Sequence, residues 1–174
     1  CTAGTETCSA GIARRCSDTG DAWAEFACDD PHQGMSCEPD GCKGPCSPGA
    51  LVLGNVGCEF FPTVTANSVW RDWFGFAAVV ANTSNEPAEI FVNRGALDVA
   101  TATVAANSAQ VIELPWVLPL KGQDASPTTI PVPPAASVLE DVGAFRLRST
   151  RPVSVYQFSA LRYENTTGVA TGCP

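Results

Sequence analysis

Phe74-Gly75-Phe76-Ala77-Ala78-Val79-Val80-Ala81 is followed by Asn82-Thr83-Ser84-Asn85-Glu86-Pro87 and then by Ala88-Glu89-Ile90-Phe91-Val92. The first run is apolar on both faces, as a central strand must be, the polar cluster reads as a turn, and the third run reads as the returning strand. Asn93-Arg94-Gly95 turns the chain again into residues 97–104, where Thr101 and Thr103 alternate with alanines. After Ala106-Asn107-Ser108 comes another short run, Gln110-Val111-Ile112-Glu113-Leu114-Pro115-Trp116. Short strands at this spacing, separated by turn residues, are the signature of an antiparallel β-sandwich.

Further along, six of the fourteen prolines fall at 115, 119, 127, 131, 133 and 134. Proline cannot donate to a ladder, so this stretch reads as a long, extended surface loop. Two more strands follow. In the first, Phe145 and Leu147 alternate with Arg146 and Arg148, which predicts one buried face and one basic, solvated face. The second is Val153-Ser154-Val155-Tyr156-Gln157-Phe158. Helical periodicity never persists beyond one turn, and the expected class is all-β.

The N-terminal part is chemically different. Seven of the nine cysteines, Cys1, Cys8, Cys16, Cys28, Cys37, Cys42 and Cys46, lie in the first 46 residues, and Cys58 and Cys173 bracket the rest. Thiols this dense, with few apolar residues between them, point to an oxidising compartment and a module stapled more than packed. The expected organisation is a small disulfide-rich, loop-rich module over residues 1–50 and a sandwich over residues 51–174, joined without a flexible linker. Nine cysteines leave one over. Either Cys1 is a lipidated first residue and the other eight form four bridges, or a partner cysteine lies outside this sequence. No hydrophobic export segment precedes Cys1 and no run of about 18 apolar residues occurs, so a mature or trimmed chain without a membrane span is expected.

Net charge is −8, from 18 acids and 10 bases with only two lysines. The acids are spread over the chain, a surface that repels nucleic acid and anionic lipid. A catalytic reading has a single histidine, His32, to work with. The Asp30-Pro31-His32 sequence around it reads as a surface turn, and no Gly-x-Ser-x-Gly elbow accompanies it. A hydrolase is therefore a remote alternative, and no catalytic residue is assigned. The cysteines lack the paired spacing of a zinc site. Asp18, Asp21, Asp29, Asp30, Glu38 and Asp40 leave a weak structural calcium site open, although the alternating Asp-x-Asp-x-Asp-Gly loop is absent. No other cofactor is expected.

Binding residues are easier to nominate. Trp70, Trp73 and Phe74 cluster before the first strong strand and Trp116 opens the proline-rich loop, so their rings are candidates for stacking on sugars or anchoring a protein. The same rings can equally fill the core. Arg146 and Arg148, with Arg151 beyond the turn, are candidates for gripping an anionic glycan or a partner's carboxylates. Asn82-Thr83-Ser84 and Asn165-Thr166-Thr167 fit the N-glycosylation pattern and place both Asn82 and Asn165 on exposed turns.

Four runs carry a resemblance: Gly57-Cys58-Glu59-Phe60-Phe61-Pro62-Thr63-Val64-Thr65-Ala66-Asn67; Phe76-Ala77-Ala78-Val79-Val80-Ala81-Asn82; Ile112-Glu113-Leu114-Pro115-Trp116; and Phe145-Arg146-Leu147-Arg148-Ser149-Thr150-Arg151-Pro152-Val153-Ser154-Val155-Tyr156-Gln157-Phe158. Together they resemble the N-terminal domain of IgGFc-binding proteins, in the versions found in extracellular proteins of myxobacteria and related bacteria. There, a leader like that of Cys1, Cys8, Cys16 and Cys28, with Gly20 and Trp23 between the last two, precedes the domain. The resemblance implies a non-catalytic extracellular β-domain, and antibody binding is not implied by the family name. The expected role of the chain is adhesion or scaffolding outside the cell or at its surface, with a protein or glycan ligand. In the family the domain continues past the strand ending at Phe158, and a shorter domain would leave a sheet edge near Tyr156 for a neighbouring molecule. The alternative is a structural subunit of an extracellular filament or coat, partnered with itself through strand pairing or an intermolecular disulfide.

Overall fold

The computed structural model describes residues 1–51, 54–126 and 128–160. Antiparallel strands dominate it. The leader holds two small sheets, one of β1 (Glu6–Ser9), β2 (Ile12–Cys16) and β3 (Trp23–Ala27) in sequence order, and one of β4 (Ser36–Glu38) and β5 (Gly41–Lys43). Ala10 and Gly11 both have positive φ, 51° and 78°, which gives the tight β1–β2 turn the twist its strands need. The two sheets close on Cys8, Ala13, Cys28 and Cys42, so the leader has a miniature core in addition to its staples and is more ordered than its loop-like composition indicates.

The staples are Cys1–Cys16, Cys8–Cys37, Cys28–Cys42 and Cys46–Cys58. They use all eight cysteines among the described residues. The Cys1 sulfur is bonded to Cys16, which leaves it no valence for a lipid thioether, so the lipid-anchor reading of Cys1 is corrected. Cys173 lies outside the described residues.

The larger sheet system runs β10 (Ser108–Leu114), β7 (Phe76–Asn82), β11 (Arg146–Phe158), β8 (Ala88–Arg94), β9 (Leu97–Val104), with β6 (Gly57–Phe60) also on β11. The two strands expected at 145–148 and 153–158 are one continuous strand. Its first part pairs with β8 at residues 146–149 and its last part with β7 at residues 154–158. Pro152 sits in the changeover, where neither ladder asks for its missing N–H. β11 thus passes from one sheet of the sandwich to the other, and both sheets face one core in which Phe76, Val80, Ile90, Phe145 and Leu147 are wholly buried. Each such side chain contributes about 1.5–3 kcal/mol by leaving water.

β7 is central, as its two-sided apolar pattern requires. Its link to β8 is not a hairpin, however, since β7 lies between β10 and β11 while β8 lies between β11 and β9. Residues 83–87 form an arch between the sheets, pinned by Asn82. The Asn82 amide donates to Glu86 O, Val104 O and Ala105 O, and its carbonyl accepts from the Ser84 N–H and hydroxyl. At 1% exposure this side chain cannot carry a glycan, which corrects the glycosylation reading of Asn82. Asn165 lies outside the described residues. In the proline-rich stretch a single short helix, α1 (Leu118–Lys121), departs from the expected absence of helix. No helix among the described residues is long and apolar enough to cross a membrane.

Candidate binding surfaces

The arginine face is the first of the two nominated surfaces, and the structure closes it. Phe145 and Leu147 point into the core as the alternation requires. Arg146 and Arg148 point the other way, toward the leader, where Arg148 is largely covered and the Arg146 side chain stays 40% exposed. Arg148 Nη1 donates to both Asp30 oxygens at 3.0 and 2.8 Å, its Nη2 donates to Asn93 Oδ1 at 3.0 Å, and Arg146 reaches Asp30 at 3.4 Å and Glu59 at 2.5 Å. Next to this cluster His32 lies against Phe91, ring centroids 3.9 Å apart. The Asp30-Pro31-His32 turn is therefore an interface element, not a surface turn.

Partial burial works to raise the Asp30 pKa. The hydrogen bonds from Arg148 and the His32 N–H, with the charges of Arg148 and Arg146, outweigh it and hold the carboxyl below the usual carboxylate range. Two further contacts lock the modules. Gly34, at φ +55°, lies so near the Thr150 carbonyl that an added Cβ would stand 2.3 Å from its oxygen. The buried Cys46 sulfur lies 3.3 Å from Ser149 O. Arg151 pairs with Glu86. The proposal of a free, anion-gripping arginine face is thus overturned: the anion is the protein's own Asp30.

The aromatic end is different. Residues 70–74 form a tight turn in which the Trp73 and Phe74 N–H groups donate to Trp70 O at 3.0 and 2.9 Å. This brings the Trp70 and Trp73 rings to 3.9 Å, tilted 54°. Trp116 packs on Phe76 at 5.6 Å and donates its indole N–H to Phe74 O at 2.9 Å. The three tryptophans are half-buried, and Trp73 and Trp116 border a cleft of about 180 Å³ together with Arg71, Phe74 and Glu113.

Lys121 holds this end together. It is wholly buried, donates to Val69 O at 2.6 Å, pairs with Asp124, and lies 5.3 Å over the Trp116 ring. Asp124 also faces Arg71 at 3.7 Å. Backbone bonds from Asn67 N to Lys121 O and from Ala125 N to Ser68 O sew the two segments together at 2.9 Å each. The α1 turn, with proline in its first positions and Gly122 at φ 84° after it, is what aims Lys121 inward. Lys121, Asp124 and Arg71 were not nominated from sequence. The usable signal was one of only two lysines, set between Trp116-Val117-Leu118-Pro119 and a glycine.

The acids weighed for calcium are dispersed. Asp30 is held by the arginines, Asp40 by Lys43, and Asp21 accepts from Ser17 and Thr19. Among the described residues no three of His, Cys, Asp and Glu converge as a metal ion requires. Comparison with protein-family models, curated proteins and solved structures returns no match.

Proposed function

We propose that this is a non-catalytic adhesion or scaffolding protein that works outside the cell or at its surface and binds a protein or glycan ligand through its aromatic end. The observation that carries this reading is the half-exposed Trp70, Trp73 and Trp116 cluster, fixed by the buried Lys121 at one end of a body braced by four disulfides. Fixed aromatic rings bordered by a few charged groups give stacking area at little entropic cost. The disulfides favour an oxidising compartment. The resemblance to the N-terminal domain of IgGFc-binding proteins agrees with the same reading. A non-catalytic role is supported by His32, whose ring is stacked on Phe91 beside an acid already engaged by Arg148.

The test is a titration of soluble polysaccharides and extracellular proteins, read by tryptophan fluorescence. Trp73→Ala and Arg71→Ala are expected to weaken whichever ligand is found by tenfold or more for the ring and less for the exposed arginine. A ligand whose affinity ignores both substitutions refutes the assignment of this end. A second reading, a subunit of a self-assembling filament or coat, is favoured by the exposed apolar side chains in and just after the proline-rich stretch, among them Ile130 at 89% and Leu139 at 91% exposure.

A further inference from the structure

We propose that the apolar knob of Leu97, Val138, Leu139 and Val142 is a second binding surface, and that it takes a basic segment of another protein in which lysine or arginine alternates with aliphatic residues. The inference goes beyond the aromatic end and uses none of its residues.

The knob is built by two turns that meet. Residues 140–143 close a tight turn in which the Gly143 N–H donates to Glu140 O at 3.1 Å, and the turn between β8 and β9 brings Gly95 against it. A Cβ added to Gly95 would stand 2.6 Å from Val142 Cγ1, so only a glycine lets the two turns come this close. Leu97 begins β9 just beyond Gly95, and Val138 and Leu139 lead into the 140–143 turn. These side chains stay outside the core: Leu97 is 66%, Val138 47%, Leu139 91% and Val142 57% exposed. Aliphatic residues so exposed, on two turns in contact, form a patch and not scattered singles, and such a patch marks a surface that something else covers.

Val142 sharpens the point. Its φ is +56°, in the left-handed region that β-branched residues rarely occupy and that glycine or asparagine adopts at less cost. Burial does not explain a valine there, because more than half of it faces water. Strained residues of this kind cluster at binding surfaces.

Charge selects the occupant. Glu140 and Asp141 belong to the turn itself and Asp98 follows Leu97, and none of the three has an ion pair among the described residues. Against these three acids the two turns hold one base, Arg94. A second copy would bring like charges face to face on a chain of net charge −8, and anionic glycans and lipids are repelled in the same way. A neutral apolar partner would strip water from the carboxylates without pairing them. A basic segment meets the carboxylates while its aliphatic side chains cover the knob.

Fluorescence anisotropy of a labelled peptide of about 12 residues, leucine alternating with lysine, titrated with the oxidised full chain, tests this. Binding is expected at low salt and is expected to weaken about tenfold or more between about 0.05 and 0.5 M salt. Leu139→Ser and Val142→Asn are each expected to weaken it at least about threefold. Serine replaces an exposed side chain and asparagine suits the left-handed backbone, so neither change unfolds the chain. Glu140→Gln/Asp141→Asn is expected to weaken binding by about threefold or more. Asp18→Asn/Glu38→Gln, the same change of charge on exposed acids of the leader, is expected to leave it unchanged. Equal losses in the two charge variants overturn the inference, because overall negative charge would then account for the binding. So do apolar variants that bind like wild type, or a peptide with serine in place of leucine that binds as well. A wild type that self-associates and is made monomeric by Leu139→Ser assigns the knob to a second copy, and the inference falls.

Discussion

Arg148 and Asp30 meet across 118 positions of sequence, with the guanidinium Nη1 within 3.0 Å of both carboxylate oxygens. The contact turns what reads as a solvated strand face into the seat of the disulfide module. Both side chains are only about one-seventh exposed, 14% and 13%, and Arg148 Nε is buried with no hydrogen-bond partner. A pair so placed is worth little as a stabiliser in itself, yet breaking it is costly because one charge stays buried alone.

Gly34 gives the sharpest steric prediction. Its φ of +55° and the 2.3 Å gap between an added Cβ and Thr150 O make Gly34→Ala incompatible with the docked leader. The cost is expected to exceed about 2 kcal/mol, from left-handed strain plus the clash. Gly4→Ala, with φ +72° and open space around it, isolates the strain alone and should cost about 1 kcal/mol. Urea unfolding of both variants makes the comparison, and equal costs would mean that Gly34 does not touch the sandwich.

The pH dependence follows from Asp30. Its folded-state pKa is depressed, so its contribution is fully present above the unfolded value of about 3.9 and is lost as pH falls through the lower folded value. Unfolding midpoints should therefore drop between pH 5 and acid extremes, and Asp30→Asn should flatten that part of the profile. An unchanged acid limb in Asp30→Asn would assign the effect to other carboxylates.

Cys46–Cys58 closes a loop of 12 residues next to Ser149. Replacing both cysteines by serine is expected to cost about 3 kcal/mol. Peptide mapping without reduction should recover this bridge with Cys1–Cys16, Cys8–Cys37 and Cys28–Cys42. Any other pairing among these eight contradicts the leader's fold.

Lys121 anchors the segment that carries Trp116. Lys121→Met keeps the side-chain volume but strands Asp124 and the Val69 carbonyl, and about 2–4 kcal/mol of destabilisation is expected, with loosened tryptophans at the aromatic end. Thermal unfolding followed by tryptophan fluorescence reads both effects. A variant as stable as wild type, with unchanged emission, would show that Lys121 does not organise this end.

Local rules carried the sequence reading as far as they reach. Alternation at 145–148 separated core from non-core side chains correctly, and the two-sided apolar run at 74–81 identified the central strand. What failed was long-range. Asn82 looks like a glycan acceptor on a turn, but its amide finds three carbonyls supplied by residues up to 23 positions away. The arginine face looks solvated because nothing in a two-residue period reveals that Asp30, more than a hundred residues earlier, will cover it. The break expected near Pro152 is absent because that residue falls where β11 changes sheets and needs no donor. In the leader, cysteine density masked short β-strands whose alternating patterns are too brief to register.

Asp30 reaches Arg148 only with the leader locked onto the sandwich. A double-mutant cycle of Asp30→Asn and Arg148→Met, read by urea unfolding of the oxidised protein, measures that lock directly. A coupling of at least about 1 kcal/mol is expected, with the double variant more stable than the sum of the single costs indicates. A coupling within about 0.3 kcal/mol of zero would mean that the two residues do not meet, and that the arginine face is open after all.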